Sequence, residues 1–233
     1  MPNVDLTEWR TVLVTGTDAV EWLDDLVSAG LSSGDGPRRS LLLTPTGRIR
    51  ADFHVVPTDG ARLLIQDPIQ PTAIGDLLAR YVLSSDVSLG RVEEPQVAEW
   101  TDEVLHPAEA ADGMSIEEFD EWRTHEGIPR FGVDMDEDSL PQEAGWERFI
   151  DFTKGCFMGQ EAMAKIRNMS GHPTRVIRAM QADAAVAAGE PVTEGGEVGL
   201  VTSAAGTDVI VRVKWDARDA KLTTAAGAPL SDR

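Results

Sequence analysis

Residues 40–56 read SLLLTPTGRIRADFHVV. Two apolar, β-prone runs flank Pro45-Thr46-Gly47, a turn tripeptide. The pattern predicts a hairpin: a strand from Ser40 to Thr44, the turn, and a return strand from Ile49 to Val56. A hairpin in a chain that otherwise alternates strands and helices argues for an α+β fold and against a doubly wound sheet. Side chains alternate faces along a strand, so Ile49, Ala51, Phe53 and Val55 form the apolar face and Arg50, Asp52 and His54 share the other. A carboxylate between a guanidinium and an imidazole can hold a ligand amine or act as a base. The alternative is a solvated sheet face with ordinary charge pairs.

Working outward, Thr11 to Val14 reads as a strand and Asp18 to Ala29 as a helix with Trp22, Leu23, Leu26 and Val27 on one face. Gly30 and the run Ser32-Ser33-Gly34-Asp35-Gly36-Pro37 form a loop. Arg62 to Gln66 reads as a strand, Thr72 to Tyr81 as a helix and Val87 to Val92 as a strand. Glu93 to Gly113 is acidic, weakly patterned and expected to be loop. Ser115-Ile116-Glu117-Glu118 matches a capping box opening a short helix that Gly127 can close. Pro141 to Phe152 is expected to form a further helix. From Gly189 onward, short β-prone runs (Gly199 to Thr202, Val209 to Trp215) alternate with turn residues and predict a small all-β module.

The 233 residues carry a net charge of −19, which opposes non-specific binding to nucleic acid or an anionic membrane. Two basic islands break the acidity. Pro37 to Ala51 holds Arg38, Arg39, Arg48 and Arg50 without an acid. Phe152 to Ala182 holds Lys154, Lys165, Arg167, Arg175 and Arg178 against Glu161 alone. These suit an anionic ligand or a local nucleic-acid contact; the alternative is salt bridging to the abundant acids. No run of about 18 apolar residues predicts a membrane span. The N-terminus lacks a signal-like pattern, and the single cysteine suits a reducing compartment, so a cytoplasmic protein is expected.

That cysteine lies in Lys154-Gly155-Cys156-Phe157-Met158-Gly159-Gln160-Glu161. Gly159-Gln160-Glu161 predicts a helix start, whose amide groups together with Lys154 would favour a thiolate or a bound anion. A buried structural thiol is the alternative. His54, His106, His125 and His172 show no ligand-like spacing, so no metal is expected. Met158, Met163, Met169 and Met180 read as core fillers. No phosphate loop, dinucleotide fingerprint or nucleophile elbow is present.

The cysteine octapeptide resembles the signature of the YgfZ-type folate-binding proteins, relatives of the glycine-cleavage T-protein (aminomethyltransferase). The resemblance continues through residues 41–55, 78–83, 127–134, 140–145 and 198–204, in the family's order. It implies a T-protein-like folate-binding α+β core with ferredoxin-like elements over residues 1–182, in one or two subdomains, with 93–126 shortened. A small β-barrel over 183–233 would follow. It implies tetrahydrofolate as cofactor, and a role in assembling or repairing iron–sulfur proteins, including those that modify tRNA. It places Cys156 at the thiol position and Glu143 against the pterin. Asp52, Arg50, Lys154, Gln160 and Glu161 would be further folate-site residues. Asp52 falls where the T-protein carries two acids, but Ala51 stands beside it, so aminomethyl transfer is not expected. Two rival readings remain: a folate-dependent aminomethyltransferase, and a non-catalytic RNA-binding or scaffold protein. Iron–sulfur enzymes and tRNA are the macromolecular partners these readings name; no membrane is among them.

Overall fold

The computed structural model describes residues 1–31, 36–91, 96–168 and 171–233. Residues 32–35 of the expected loop, Val92, residues 93–95 and Met169 lie outside these. The chain divides into two compact units, Met1–Ile116 with Glu147–Lys165, and Glu117–Trp146 with Ile166–Arg233.

The first unit begins with β1 (Asn3–Asp5), β2 (Arg10–Thr15) and α1 (Ala19–Asp24). β3 (Arg38–Leu43), β4 (Ile49–Thr58), β5 (Ala61–Gln66), α2 (Ile74–Ala79) and β6 (Ser88–Gly90) follow. Strands β3-β4-β5-β2-β6 form a five-stranded antiparallel sheet containing the expected hairpin, with a register shift between Leu42 and Leu43. The expected apolar face is a core: Ala51, Phe53, Val55 and Leu64 pack with Leu23 of α1 and Ile74, Leu77 and Leu78 of α2. Full burial of side chains such as Phe53 or Leu64 contributes about 1.5–3 kcal/mol each.

α1 is shorter than expected from its periodicity. The chain leaves it to lace onto β3: Ser28 N–H donates to the Leu41 carbonyl, and Ser28 Oγ accepts from Leu41 N–H at 2.8 Å. The expected loop of 93–113 is corrected. It contains a hairpin, β7 (Val97–Thr101) and β8 (Val104–Pro107), which joins β1 in a three-stranded sheet ordered β1-β7-β8. Of its turn residues, Asp102 is a turn former but Glu103 is not, and no glycine marks the turn. Because β8 packs against β3 and β4, the second face of β4 is not solvated: Asp52 and His54 are buried.

The second unit opens with α3 (Ile116–His125), which begins where the capping-box match placed it. Gly127 ends it at φ 72°, with Gly127 N–H donating to Thr124 O and Ile128 N–H to Arg123 O, a Schellman-type close. The helix expected over Pro141 to Phe152 is instead two 3-10 turns, Pro141–Ala144 and Trp146–Phe149, the second continuing into the first unit. Gly145 between them adopts φ 66°, which ends one turn and restarts the next. α4 (Gln160–Asn168), which lies in the first unit through Lys165, starts where the sequence placed a helix.

A closed barrel completes the chain, with β9 (Arg175–Ala182), β10 (Pro191–Thr193), β11 (Glu197–Ala205), β12 (Asp208–Lys214), β13 (Leu222–Thr224) and β14 (Pro229–Asp232) ordered β10-β11-β12-β9-β14-β13. Its interior holds Met180, Val192, Val201, Val209, Val211, Val213, Leu222 and Leu230. β9 is one of its staves, so the barrel strands begin at Arg175, ahead of the boundary expected at 183. Among the described residues no helix is long and apolar enough to cross a membrane.

Candidate functional site

The cysteine octapeptide is seated on the β3–β4 hairpin by glycines. Gly159 adopts φ 84°, and a Cβ there would meet Thr44 O at 2.6 Å and Leu43 Cβ at 2.9 Å. Gly47 in the hairpin turn, at φ 82°, faces Met163 of α4, whose Cε would lie 2.3 Å from an added Cβ. A side chain at 159 would push the start of α4 off the hairpin, while one at 47 would be strained at that φ and would displace the Met163 tip. Cys156 is a free, exposed thiol between the buried side chains of Lys154 and Phe157. Lys154 extends away from solvent, with its side chain 4% exposed. Its ammonium donates to the carbonyls of Asp24 and Ala29 and lies 3.4 Å from the Asp24 carboxylate. Burial pushes its pKa below the ordinary lysine value, with Asp24 opposing. Its charge thus staples the octapeptide to the end of α1. Gln160 is half-buried at the start of α4, and Glu161 is exposed and paired with Lys165 at 2.8 Å.

Asp52 is committed to a partner that the sequence reading did not name. Its two oxygens receive Arg39 Nε at 2.9 Å and Nη2 at 2.7 Å, a bidentate fork. Arg39 Nη1 donates to Glu103 Oε2 at 3.0 Å, and Glu103 Oε1 accepts from Arg148 Nη2. Both guanidiniums lie over the Phe149 ring, at 4.9 Å for Arg39 and 4.6 Å for Arg148. Burial opposes the Arg39 charge, but Asp52 and Glu103 outweigh it and hold its pKa above the ordinary value. The cluster opens on a cavity of about 440 Å³ lined by Ala29, Arg38, Arg39, Val104, Arg148 and Phe149, among others. His54, on the same face, is neutral: burial first, then the Arg39 charge and His106, holds its pKa well below the ordinary value. Its Nδ1 accepts from Leu105 N–H at 3.1 Å, which leaves the ring proton on Nε2. Arg50, the third member of the expected face, is half-buried.

Register explains the missed partner. Arg39 lies opposite His54, and Leu41 opposite Asp52, so Arg39 is the diagonal neighbour of Asp52 on one sheet face. That pairing can be counted from the hairpin once the Leu42/Leu43 shift is included. Glu103, Arg148 and Phe149 carry no such local signal. The basic islands do not survive as continuous surfaces: Arg39, Lys154, Lys165 and Arg178 each meet an acid.

In the second unit, Glu143 sits on the first 3-10 turn, 3% exposed. Its Oε1 accepts from Leu140 N–H at 3.3 Å, but its buried Oε2 has no hydrogen-bond partner among the described residues. Burial raises its pKa, countered by the Leu140 N–H and by Arg212 and Arg175. Of the expected core methionines, Met163 and Met180 are buried, and half-buried Met158 accepts from the Tyr81 hydroxyl at 3.5 Å. No group of three or more metal-ligating side chains occurs among the described residues.

The structure is similar to that of the glycine cleavage system aminomethyltransferase T from Bartonella henselae. The TM-score is 0.82 over 99% of this chain and 84% of that one, at 17% identity. The fold is T-protein-like. No family model matches the sequence. A stretch of 46 residues is 41% identical to the aminomethyltransferases of Thermoanaerobacter sp. (strain X514) and Thermoanaerobacter pseudethanolicus (strain ATCC 33223 / 39E). The match covers 20% of this chain and 12% of the length of those relatives.

Proposed function

We propose that this protein binds a reduced folate, tetrahydrofolate, and uses it in the upkeep of iron–sulfur proteins, with Cys156 as the working thiol. The observation that carries the folate reading is Glu143. A buried carboxylate oxygen without a hydrogen-bond donor is costly unless a ligand supplies one. A pterin ring presents N–H donors that a carboxylate can accept. Each such charge-assisted bond contributes about 1.5–3 kcal/mol. The T-protein-like fold and the resemblance of the octapeptide support the same reading. The exposed thiol on a glycine-seated segment supports a chemical role for Cys156.

Calorimetric titration with tetrahydrofolate tests this. Saturable binding is expected, and Glu143→Ala should weaken it about tenfold or more. Affinity should also fall on acidification. The raised pKa of Glu143 means that its carboxylate is lost at a pH above the ordinary glutamate value of about 4.3. No saturable binding at millimolar tetrahydrofolate would sink the proposal.

Aminomethyl transfer is the second reading, carried by the names of the relatives. Two features oppose it: Ala51 beside Asp52, and the fork by which Arg39 occupies both Asp52 oxygens. A carboxylate so engaged is poorly placed to orient a ligand amine. Ammonia release from an aminomethylated lipoyl carrier, dependent on this protein and tetrahydrofolate, would establish that activity.

A further inference from the structure

The β7–β8 hairpin turns through two residues, Asp102 and Glu103, at φ 51° and 60°. This is the type I′ geometry, in which glycine, asparagine or aspartate normally serves because both central residues need a positive φ. Among the described residues these are the non-glycine residues that adopt one. A glutamate held in this conformation is a strained arrangement, kept by what its side chain reaches. The Glu103 carboxylate reaches two guanidiniums, one on each oxygen: Arg39 Nη1 and Arg148 Nη2. Beside it lies the 440 Å³ cavity, whose lining includes Arg38 and Asp151 besides the two guanidiniums.

We infer that the Arg39–Arg148 cradle is a binding site for the terminal carboxylate or phosphate of a small anionic ligand, and that Glu103 is its built-in occupant, displaced when the ligand binds. With Glu103 seated, the charges of Arg39 and Arg148 are met by Asp52 and Glu103. With it withdrawn, the Asp52 fork still fixes the Arg39 plane, while Nη1 and the Arg148 guanidinium lose the carboxylate that bridges them and remain at the cavity wall. A bidentate oxyanion fits that spacing, because the Glu103 carboxylate already spans it. Arg148 and Glu103 are 45% and 27% exposed, so exchange needs no opening of the core. Release of the hairpin tip from its strained turn would assist the exchange. The site lies wholly within the first unit and does not depend on the folate reading.

The test is calorimetry on the full chain at low ionic strength, with inorganic phosphate and glutarate as separate probes. Glu103→Gln removes the competing charge and keeps the side-chain shape. It should tighten binding of at least one probe about tenfold. A gain for phosphate alone assigns a phosphate head, and a gain for glutarate alone a carboxylate head. Adding Arg148→Gln to that variant should abolish the gain, with the melting temperature showing that the chain still folds. Equal affinity of the parent and Glu103→Gln for both probes would overturn the proposal, as would a gain that survives loss of Arg148.

Discussion

Each unit contains a buried arginine paired with a buried aspartate, and the two differ in what surrounds the pair. In the second unit, Arg123 is 1% exposed and its partner Asp134 is fully buried. Arg123 donates to Asp120, Ile128 O, Asp134 and Ser203 Oγ. Asp134 accepts in turn from Arg123, Arg130 N–H, Thr202 Oγ1 and Ser203 Oγ. The bulge between Val201 and Ser203 of β11 lets adjacent hydroxyls reach the same carboxylate. Every hydrogen-bonding position of Asp134 is thereby filled, and the network is a clasp between α3, residues 128–134 and the barrel. The Arg39–Asp52 fork is also buried but ends on a cavity, through a carboxylate on a strained turn. A satisfied buried pair reads as structure, and one whose last partner can be exchanged reads as a site.

The largest expected effect breaks the closed network. Asp134→Ala leaves the buried Arg123 with half-exposed Asp120 as its remaining carboxylate and strands the Ser203 hydroxyl and the Arg130 N–H. Removal of one partner from such a pair costs about 3–5 kcal/mol. A fall in the melting temperature of about 6–20 degrees is expected. Asp52→Ala should cost less, about 1.5–3 kcal/mol, the range for hydrogen bonds to charged groups. Arg39 there keeps Glu103, the Phe149 ring and a route to cavity water. Equal losses in the two variants, measured by calorimetric unfolding, would erase the distinction.

The sequence revealed the elements of this contrast unevenly. The β3–β4 hairpin, the α4 start and the barrel were legible because strand alternation, Pro-Thr-Gly and helix-start signals are local. Asp52 was legible as a notable carboxylate, and its Arg39 partner lay one register count away. Glu103 was not legible. Its turn has neither glycine nor asparagine, so the β7–β8 hairpin read as loop, and its partner Arg148 is distant in sequence. The Pro141 to Phe152 segment read as one helix because apolar spacing does not register the left-handed conformation of Gly145. Glu143 was singled out from the family resemblance, and no local pattern shows that its Oε2 would be buried without a donor.

A smaller effect sharpens the clasp by pH. Asp120 accepts from both Arg123 and Arg130. Burial works to raise its pKa, but the Arg123 and Arg130 interactions outweigh it and hold the value below that of an ordinary aspartate. A depressed carboxylate stabilises the fold above its unfolded pKa, about 3.9, and that contribution is lost as pH falls through the folded value. Asp120→Asn should therefore lower stability at neutral pH and converge with the parent near pH 2. Asp120 is 44% exposed, so solvent screening keeps the difference below about 1 kcal/mol. Parallel stability–pH curves for the two proteins would remove Asp120 from the clasp.

The smallest effect concerns Cys156, which sits beside the open cluster through its neighbour. Lys154 holds the Ala29 carbonyl, and Ala29 lines the cavity, so the octapeptide is fastened to the cavity wall by the lysine and not by the thiol. An exposed side chain outside any network shifts stability by no more than about 0.5 kcal/mol when replaced by an isostere. Cys156→Ser should thus leave the melting temperature and the phosphate affinity of the Glu103→Gln background unchanged. Lys154→Met removes a buried ammonium from two carbonyls and should lower the melting temperature clearly. Iodoacetamide should modify Cys156 in the folded protein at a rate that denaturant does not greatly increase. If the serine variant melts several degrees lower, or the thiol reacts only after unfolding, Cys156 belongs to the packing of the octapeptide. Its assignment as the working thiol then falls, while the Arg39–Arg148 cradle stands on its own test.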